Sequence, residues 1–301
     1  MQEKLAYIII LNWNNARDTV ECVESCLKIP DPRIRVLIVD NGSSDGSEAL
    51  LRTRFPQVEF IQTGTNLGFA EGNNVGIHHA LAQGAEYVIL LNNDTIVDPD
   101  FAARLIDAAE ADPSVGIASS KIYFYDRPDV IWYAGSRMNL ATGYTWQIGY
   151  KEKDTGQYDQ LRETDWACGC SMLITRKVCE QVGLLDADYF CYSEDTDWSV
   201  RAKKAGYRVV FVPGSKIWHK ISVSTGGLST GSSLYYVTRN NLLLLHRHRP
   251  LGFAAGLVRD GLILGRMVCS LFTMRINKMK GLANILRGAR DYYRGRLGKR
   301  D

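Results

Sequence analysis

The chain has 301 residues, 46% of them hydrophobic, enough to fill one large domain or a domain with an appendage. Its net charge of +3 hides an asymmetry, 22 Lys/Arg against 30 Asp/Glu over residues 1–238 and 14 against 3 over residues 239–301, which disfavours nucleic acid as a ligand of the body and points the tail at something anionic. Seven Cys without a regular framework argue for reduced thiols in a cytosolic setting, the first residues run straight into a strand rather than a secretory signal, and no run of 18 uncharged apolar residues predicts a membrane span.

In chain order, "LAYIIILNW" predicts a buried strand and about Asp18–Lys28 a helix. "IRVLIVDNGSSDGS" reads as a strand and a turn, with Asp45 opening the next helix, and "VEFIQTG" as a third strand. "NLGFAEGNNVGIHHALAQG" is a Gly-rich loop entering a helix that stops at Gly84. "EYVILLNNDTIV" is a fourth strand, and Asp98-Pro99 opens a helix to about Ala111. This alternation predicts an α/β fold, a parallel sheet with helices on both faces and a site beyond the carboxyl ends of the strands. Those ends read Asn12-Trp13-Asn14, Asp40-Asn41-Gly42 and Asn92-Asn93-Asp94. From about Ser119 to Trp166 the pattern is irregular, a hairpin or variable lobe over the cleft. "WACGCSMLITRKVCEQVGLLD" gives a strand and a short helix, in which Cys168-Gly169-Cys170 reads as small residues in a tight segment. "YRVVFVPGSKIWHK" is a strand with His219 just past its end.

Several polar groups then ask for a role. In "FCYSEDTDWSVRAKKAGY", Ser193 and the acids Glu194, Asp195 and Asp197 suit a capped helix start. Helical spacing puts Asp195 on one face with Trp198 and Ala202, aimed inward as a general base would be, and leaves Asp197 in water. Asp40 can accept from a pyrimidine imide N–H, Trp13 offers a stacking face, and Gly68 and Gly72 permit close backbone approach, although "DNGSSDGS" is also a turn and a helix cap. Asp94 either ligates a divalent cation or serves as a turn acid, and His219 joins it only if the fold puts the two side by side. The absence of G-x-G-x-x-G and of G-x-x-x-x-G-K-[ST] disfavours a dinucleotide fold and a P-loop.

"VDNGSSDGS", "NLGFAEGNN", "LLNNDTIV", "YSEDTDWSVRAKKAGYRVVFVP" and "WHK", in this order over about residues 5–225, resemble glycosyltransferase family 2, in particular bacterial rhamnosyltransferase-like members. The resemblance implies a GT-A fold and inverting transfer from a nucleotide sugar. It places Asp40 at the base and Asp94 at the last acid of a D-x-D element that here reads Asn92-Asn93-Asp94. It makes Asp195 the general base and His219 a third metal ligand, with Mn²⁺ or Mg²⁺ as cofactor. The nucleotide-sugar set is then Asn12, Trp13, Asp40, Asn66, Gly68, Asn73 and Asn93, with Glu194 and Trp166 on the sugar or acceptor. The expected division is a GT-A unit over 1–235, its nucleotide-sugar half to about 118 and its acceptor half over about 119–235, followed by a helical tail over 236–301.

The function so implied moves a rhamnose-like deoxyhexose from a dTDP- or UDP-linked donor to a glycan or lipid-linked acceptor in cell-surface polysaccharide assembly. Another hexose or an N-acetylhexosamine donor, a nucleotidyltransferase and a non-catalytic carbohydrate- or lipid-binding module are the alternatives. In the tail, Leu282, Ile285, Leu286, Ala289 and Tyr293 share one stripe, and Arg287, Arg290 and Arg294 another. This pattern suits the anionic inner face of a cell membrane, or packing on the body or on a second subunit as a homo-oligomer.

Overall fold

The computed structural model describes residues 4–220, 231–273 and 276–300. The first half reads β1 (Ala6–Asn12), α1 (Ala16–Cys26), β2 (Ile34–Asp40), α2 (Ser47–Arg54), β3 (Glu59–Gln62), α3 (Gly68–Ala82), β4 (Tyr87–Asn92), β5 (Thr95–Val97) and α4 (Phe101–Ala111). There follow β6 (Val115–Phe124), β7 (Arg127–Tyr133), β8 (Ser136–Asn139), β9 (Tyr144–Gln147), β10 (Arg162–Glu163), β11 (Ser171–Thr175), α5 (Arg176–Val182), α6 (Glu194–Lys204) and β12 (Arg208–His219). The C-terminal helices are α7 (Gly231–His248), α8 (Phe253–Ser270) and α9 (Lys278–Tyr293).

The strands form one sheet in the order β10-β12-β6-β11-β4-β1-β2-β3, with β5 on β12 and β7 on β6, and β8–β9 make a separate hairpin. The parallel arrangement expected from the first half of the chain is present in β1–β4, and the sheet as a whole is mixed. β1, β2, β3 and β4 are parallel, but β11 lies between β4 and β6 antiparallel to both. Its five residues are all buried, and an apolar run of that kind carries no signal of direction. The register aligns Asn12 with Asp40 and Leu11 with Asn92, so the polar strand ends of β1, β2 and β4 open on one edge.

Of the stretch that looks irregular from about Ser119 to Trp166, residues 119–124 are the second half of β6, buried throughout, and β7 and the β8–β9 hairpin follow. The polar residues of β6 are satisfied: Ser120 Oγ pairs with Ser171 Oγ (2.7 Å) and Ser215 Oγ (2.8 Å), and the Lys121 ammonium reaches Asp154 (2.9 Å) and Asp159 (2.6 Å). β12 ends on His219 itself rather than before it.

The tail packs on the body. α9 lies along α7 with Ile285 and Ala289 buried, and a Cβ at Gly288 would stand 2.5 Å from the Tyr235 carbonyl, so only glycine allows this approach. The proposed apolar stripe is therefore split: Ile285 and Ala289 turn inward while Leu286 and Tyr293 stay exposed. α7 also runs across the boundary expected at residue 235, and residues 221–230 of the acceptor half lie outside the described residues.

Candidate active site

The ends of β1, β2 and β4 are joined by a buried polar network. Asn12 Nδ2 donates to Asp40 Oδ1 (2.5 Å) and to Ser43 Oγ (3.1 Å). Asp40 also accepts from Ser43 Oγ (2.6 Å), Ser43 N (3.1 Å) and Gln62 Nε2 (2.6 Å). Thr19 Oγ1 donates to Asn12 Oδ1 (2.8 Å), and Asn93 Nδ2 donates to Thr19 Oγ1 (2.8 Å). Asp40 is fully buried with its acceptor capacity used, so in this conformation it braces the crevice floor rather than facing a base. Trp13, 44% exposed just past β1, remains available for stacking.

The Gly-rich loop departs from expectation. Gly68 has φ +83°, and a Cβ there would meet Phe190 O at 2.5 Å. Phe190 O accepts from Phe69 N (2.6 Å) and Ala70 N (3.2 Å), so the start of α3 is capped by this carbonyl rather than open to a phosphate. At Gly72 the close neighbours are Leu11 and Asn41. Asn66 Oδ1 accepts from Gly68 N (2.8 Å) and shapes the loop, while buried Asn73 donates back to Phe69 O (2.8 Å). Asn66 and Gly68 thus shape the loop, and Gly72 and Asn73 lie in the first turns of α3.

Asp94 and His219 are side by side. β5 and β12 pair His219 with Thr95, and His219 Nε2 lies 3.1 Å from Asp94 Oδ1. Both side chains are largely buried; Asp94 Oδ1 has the His219 Nε2 approach as its contact, and His219 Nδ1 has no hydrogen-bond partner among the described residues. Burial works to raise the Asp94 carboxyl, but the His219 imidazole and Lys220 more than reverse this and hold it below its ordinary value. An anionic carboxylate beside an imidazole with an unpartnered Nδ1 fits a divalent cation whose other ligands come from substrate. No cluster of three or more such side chains occurs among the described residues.

The three acids separate differently from the helical-face reading. Asp197 is 1% exposed, not solvated: it accepts from Tyr189 Oη (3.1 Å) and Arg201 Nε (2.6 Å) and pairs with His248 Nε2 (2.8 Å) on α7. Burial opposes its ionisation, and His248 and Arg201 outweigh burial and lower its pKa. The sequence hid this partner because it lies 51 residues away.

Asp195 is half-buried. Its Oδ2 accepts from Gly169 N (2.9 Å), and its Oδ1 from Thr196 N (2.6 Å) and Thr196 Oγ1 (3.1 Å). Burial raises its pKa despite these donors. Glu194 is buried with Oε2 unpartnered, and burial first, then the Asp195 charge, raise it well above its ordinary value. Asn92 N donates to Cys170 O (3.0 Å) one residue from Gly169, which ties the Asp195 side of the cleft to the strand that ends near Asp94. Trp166, tilted on Tyr133 at 5.6 Å, buries an unpartnered Nε1.

Ser193 occupies the cap position of α6 but makes no side-chain cap bond; its φ is +73°. Phe190 (+62°) and Tyr192 (+69°) are left-handed too, an uncommon concentration immediately before the acids. Two fully buried residues of α7, neither of them evident from sequence, hold this loop. Asn240 Nδ2 donates to the carbonyls of Tyr189 (2.9 Å), Cys191 (2.7 Å) and Tyr192 (2.7 Å). Arg239 donates to those of Asp188 (3.0 Å), Tyr189 (2.9 Å) and Gly298 (2.6 Å). The only signal in the sequence was a polar Arg-Asn pair inside an apolar helix.

Among known proteins, the model of the family described as glycosyl transferase family 2 matches residues 7–183. An N-acetylglucosaminyl-diphospho-decaprenol L-rhamnosyltransferase of Mycobacterium tuberculosis is 30% identical over 219 residues, covering 64% of this chain and 68% of that protein. The dTDP-rhamnosyl transferase RfbF of Shigella flexneri is 26% identical over 282 residues, 91% of each chain. The structure of a mannosyltransferase from Pyrobaculum calidifontis in complex with GDP-Man and Mn²⁺ superposes with a TM-score of 0.60 at 15% identity, covering 97% of this chain and 88% of that one. This likeness establishes the fold, a GT-A type sheet with flanking helices and C-terminal helices after it.

Proposed function

The chain belongs to glycosyl transferase family 2 and is a glycosyltransferase, and from that premise we propose that it transfers a rhamnose-like deoxyhexose, with inversion, from a dTDP- or UDP-linked donor to a hydroxyl of a glycan or lipid-linked acceptor. The observation that carries the proposal is Asp195, a half-buried carboxylate braced by Gly169 N and Thr196 with a pKa raised by burial. The names of the two rhamnosyltransferase relatives favour the sugar.

In this reading Asp195 accepts the acceptor hydroxyl proton while that oxygen attacks the anomeric carbon and the bond to the diphosphate oxygen breaks. One displacement inverts the anomeric centre and needs no covalent nucleophile. Asp94 and His219 would hold a divalent cation, which supplies neutralisation of charge on the departing diphosphate. Buried Glu194, with Oε2 unpartnered, contacts the sugar or acceptor, and Trp166 and Trp13 line the acceptor and base sides. The GT-A unit spans 1–235, with its donor half to about 118, and the appendage over 236–301 takes in most of α7 with α8 and α9. The enzyme works peripherally at the inner face of a cell membrane, where a lipid-linked acceptor is reached. No helix among the described residues is long and apolar enough to cross a membrane.

The test is incubation of a lipid-linked glycan acceptor with dTDP-rhamnose, UDP-glucose or UDP-N-acetylglucosamine in Mn²⁺, with release of nucleoside diphosphate and the anomeric configuration of the glycosylated product followed by NMR. Turnover of dTDP-rhamnose to the inverted anomer is expected. A retained anomer rejects the mechanism, and turnover of another donor rejects the sugar.

A further inference from the structure

α8 is turned inside out for a helix in water. Arg259 and Asp260 are buried, whereas the exposed positions are apolar or small apart from Arg266. Leu257, Val258 and Leu262 are about half exposed or more, and Phe253 and Phe272, at either end, are 84% and 80% exposed. Helices with this polarity face a non-aqueous neighbour.

α9 supplies the charge. Met279, Leu286 and Tyr293 lie at i, i+7 and i+14 and are exposed; Lys280, Arg287 and Arg294 form the adjacent line at the same spacing and are exposed as well. The acids described in this region do not offset them at the surface. Asp260 is buried and bonded to His246 (2.8 Å) and Tyr293 Oη (2.6 Å), and Asp291 is buried and bonded to Tyr235 Oη (3.1 Å). The result is an apolar helix face next to an apolar line edged with uncompensated cations.

We propose that the outer faces of α8 and α9 together seat the protein on an anionic lipid bilayer, with α8 in the acyl boundary and the Lys280–Arg287–Arg294 line at the headgroups. A second copy on the same face is disfavoured, because a two-fold contact would bring the cationic lines of both copies to one interface. The assignment moves the membrane contact from a tail helix alone to a composite surface led by α8. It rests on the transferase reading only for its purpose, the holding of a lipid-linked acceptor before the cleft.

The experiment sediments the full chain with vesicles of phosphatidylcholine alone or with phosphatidylglycerol, at low and high salt. Each basic residue near an anionic surface strengthens binding about fivefold. Wild type should bind the phosphatidylglycerol vesicles, lose at least tenfold in high salt, and bind phosphatidylcholine weakly. Leu257→Glu/Leu262→Glu and, separately, Lys280→Glu/Arg287→Glu should each bind at least tenfold more weakly, with melting temperature unchanged. Indifference of wild type to phosphatidylglycerol, or wild-type binding by both variants, overturns the proposal. A dimer that ignores vesicles and dissociates in Leu257→Glu/Leu262→Glu also overturns it and makes the face a copy–copy interface. Binding of dTDP in Mn²⁺, read on the same samples, reports on the donor site and separates failure of the transferase reading from failure of this surface.

Discussion

Replacing Asn240 by Ala should disable the enzyme from a distance. The Asn240 amide has two hydrogens shared among three carbonyls of the loop before Glu194, all in a buried setting. Losing them removes about two neutral hydrogen bonds and leaves buried acceptors short of a donor, a cost of roughly 2–4 kcal/mol. The loop holds three left-handed non-glycine residues, each storing on the order of 1–3 kcal/mol. Summed, the strain is roughly 3–9 kcal/mol, at least as large as the restraint from Asn240, so the loop should relax without it. Asp195 begins two residues after this loop, and a shift of about 1 Å at a reacting group costs roughly 10²-fold.

We expect Asn240→Ala to lower kcat by at least tenfold with little change in the affinity for nucleoside diphosphate, and to lower the melting temperature. Leu242→Ala is the control. Leu242 is equally buried on α7, and its truncation costs about 2–5 kcal/mol, but Leu242 packs in the helical cluster with Leu245 and Ile263. It should lose melting temperature and keep kcat. Steady-state rates and differential scanning fluorimetry on both variants decide the matter. If the two variants lose stability alike and both keep wild-type kcat, Asn240 is only structural.

Three further outcomes are expected. Asp94→Ala should abolish, and His219→Ala weaken, the Mn²⁺-dependent part of dTDP binding by calorimetry; equal binding with and without chelator in wild type would remove both from a metal site. Gly169→Ala should lower kcat while preserving the fold, because the new Cβ sits 3.3 Å from Asp195 Cβ and 3.4 Å from its Oδ2; an unchanged rate means that the carboxylate position is not critical. Glu194 has a folded pKa raised above its ordinary 4.5, so the unfolded chain releases its proton first and stability falls as pH rises from 4.5 to the raised value. Glu194→Gln should therefore gain stability over wild type on going from pH 4 to pH 8 in urea titrations, and a difference constant with pH would contradict that.

What was legible in the sequence was local. The runs "AYIIILN", "IRVLIVD" and "YVILLN" end in polar residues, so the strands and the edge on which they open could be read directly. The meeting of Asp94 and His219 depended on an antiparallel pairing of β5 with β12 that no spacing encodes. The direction of β11 was silent because all five residues are buried. Asp197 was misplaced because the helical face predicts solvent only when nothing packs there, and His248 of α7 does. The glycine at Gly68 signals a close approach, and the group that approaches is Phe190 of the same chain. The roles of Arg239 and Asn240 were illegible for the same reason: their partners are backbone carbonyls, which leave no trace in side-chain sequence.

The central claim is that Asp195 is the base, and Asp195→Asn tests it most directly. The amide keeps the shape of the carboxylate and can still accept at its oxygen from Gly169 N, but it cannot take a proton. With dTDP-rhamnose and acceptor at saturation, kcat should fall by roughly 10²–10⁴ while donor affinity is kept. A kcat within twofold of wild type would contradict the account.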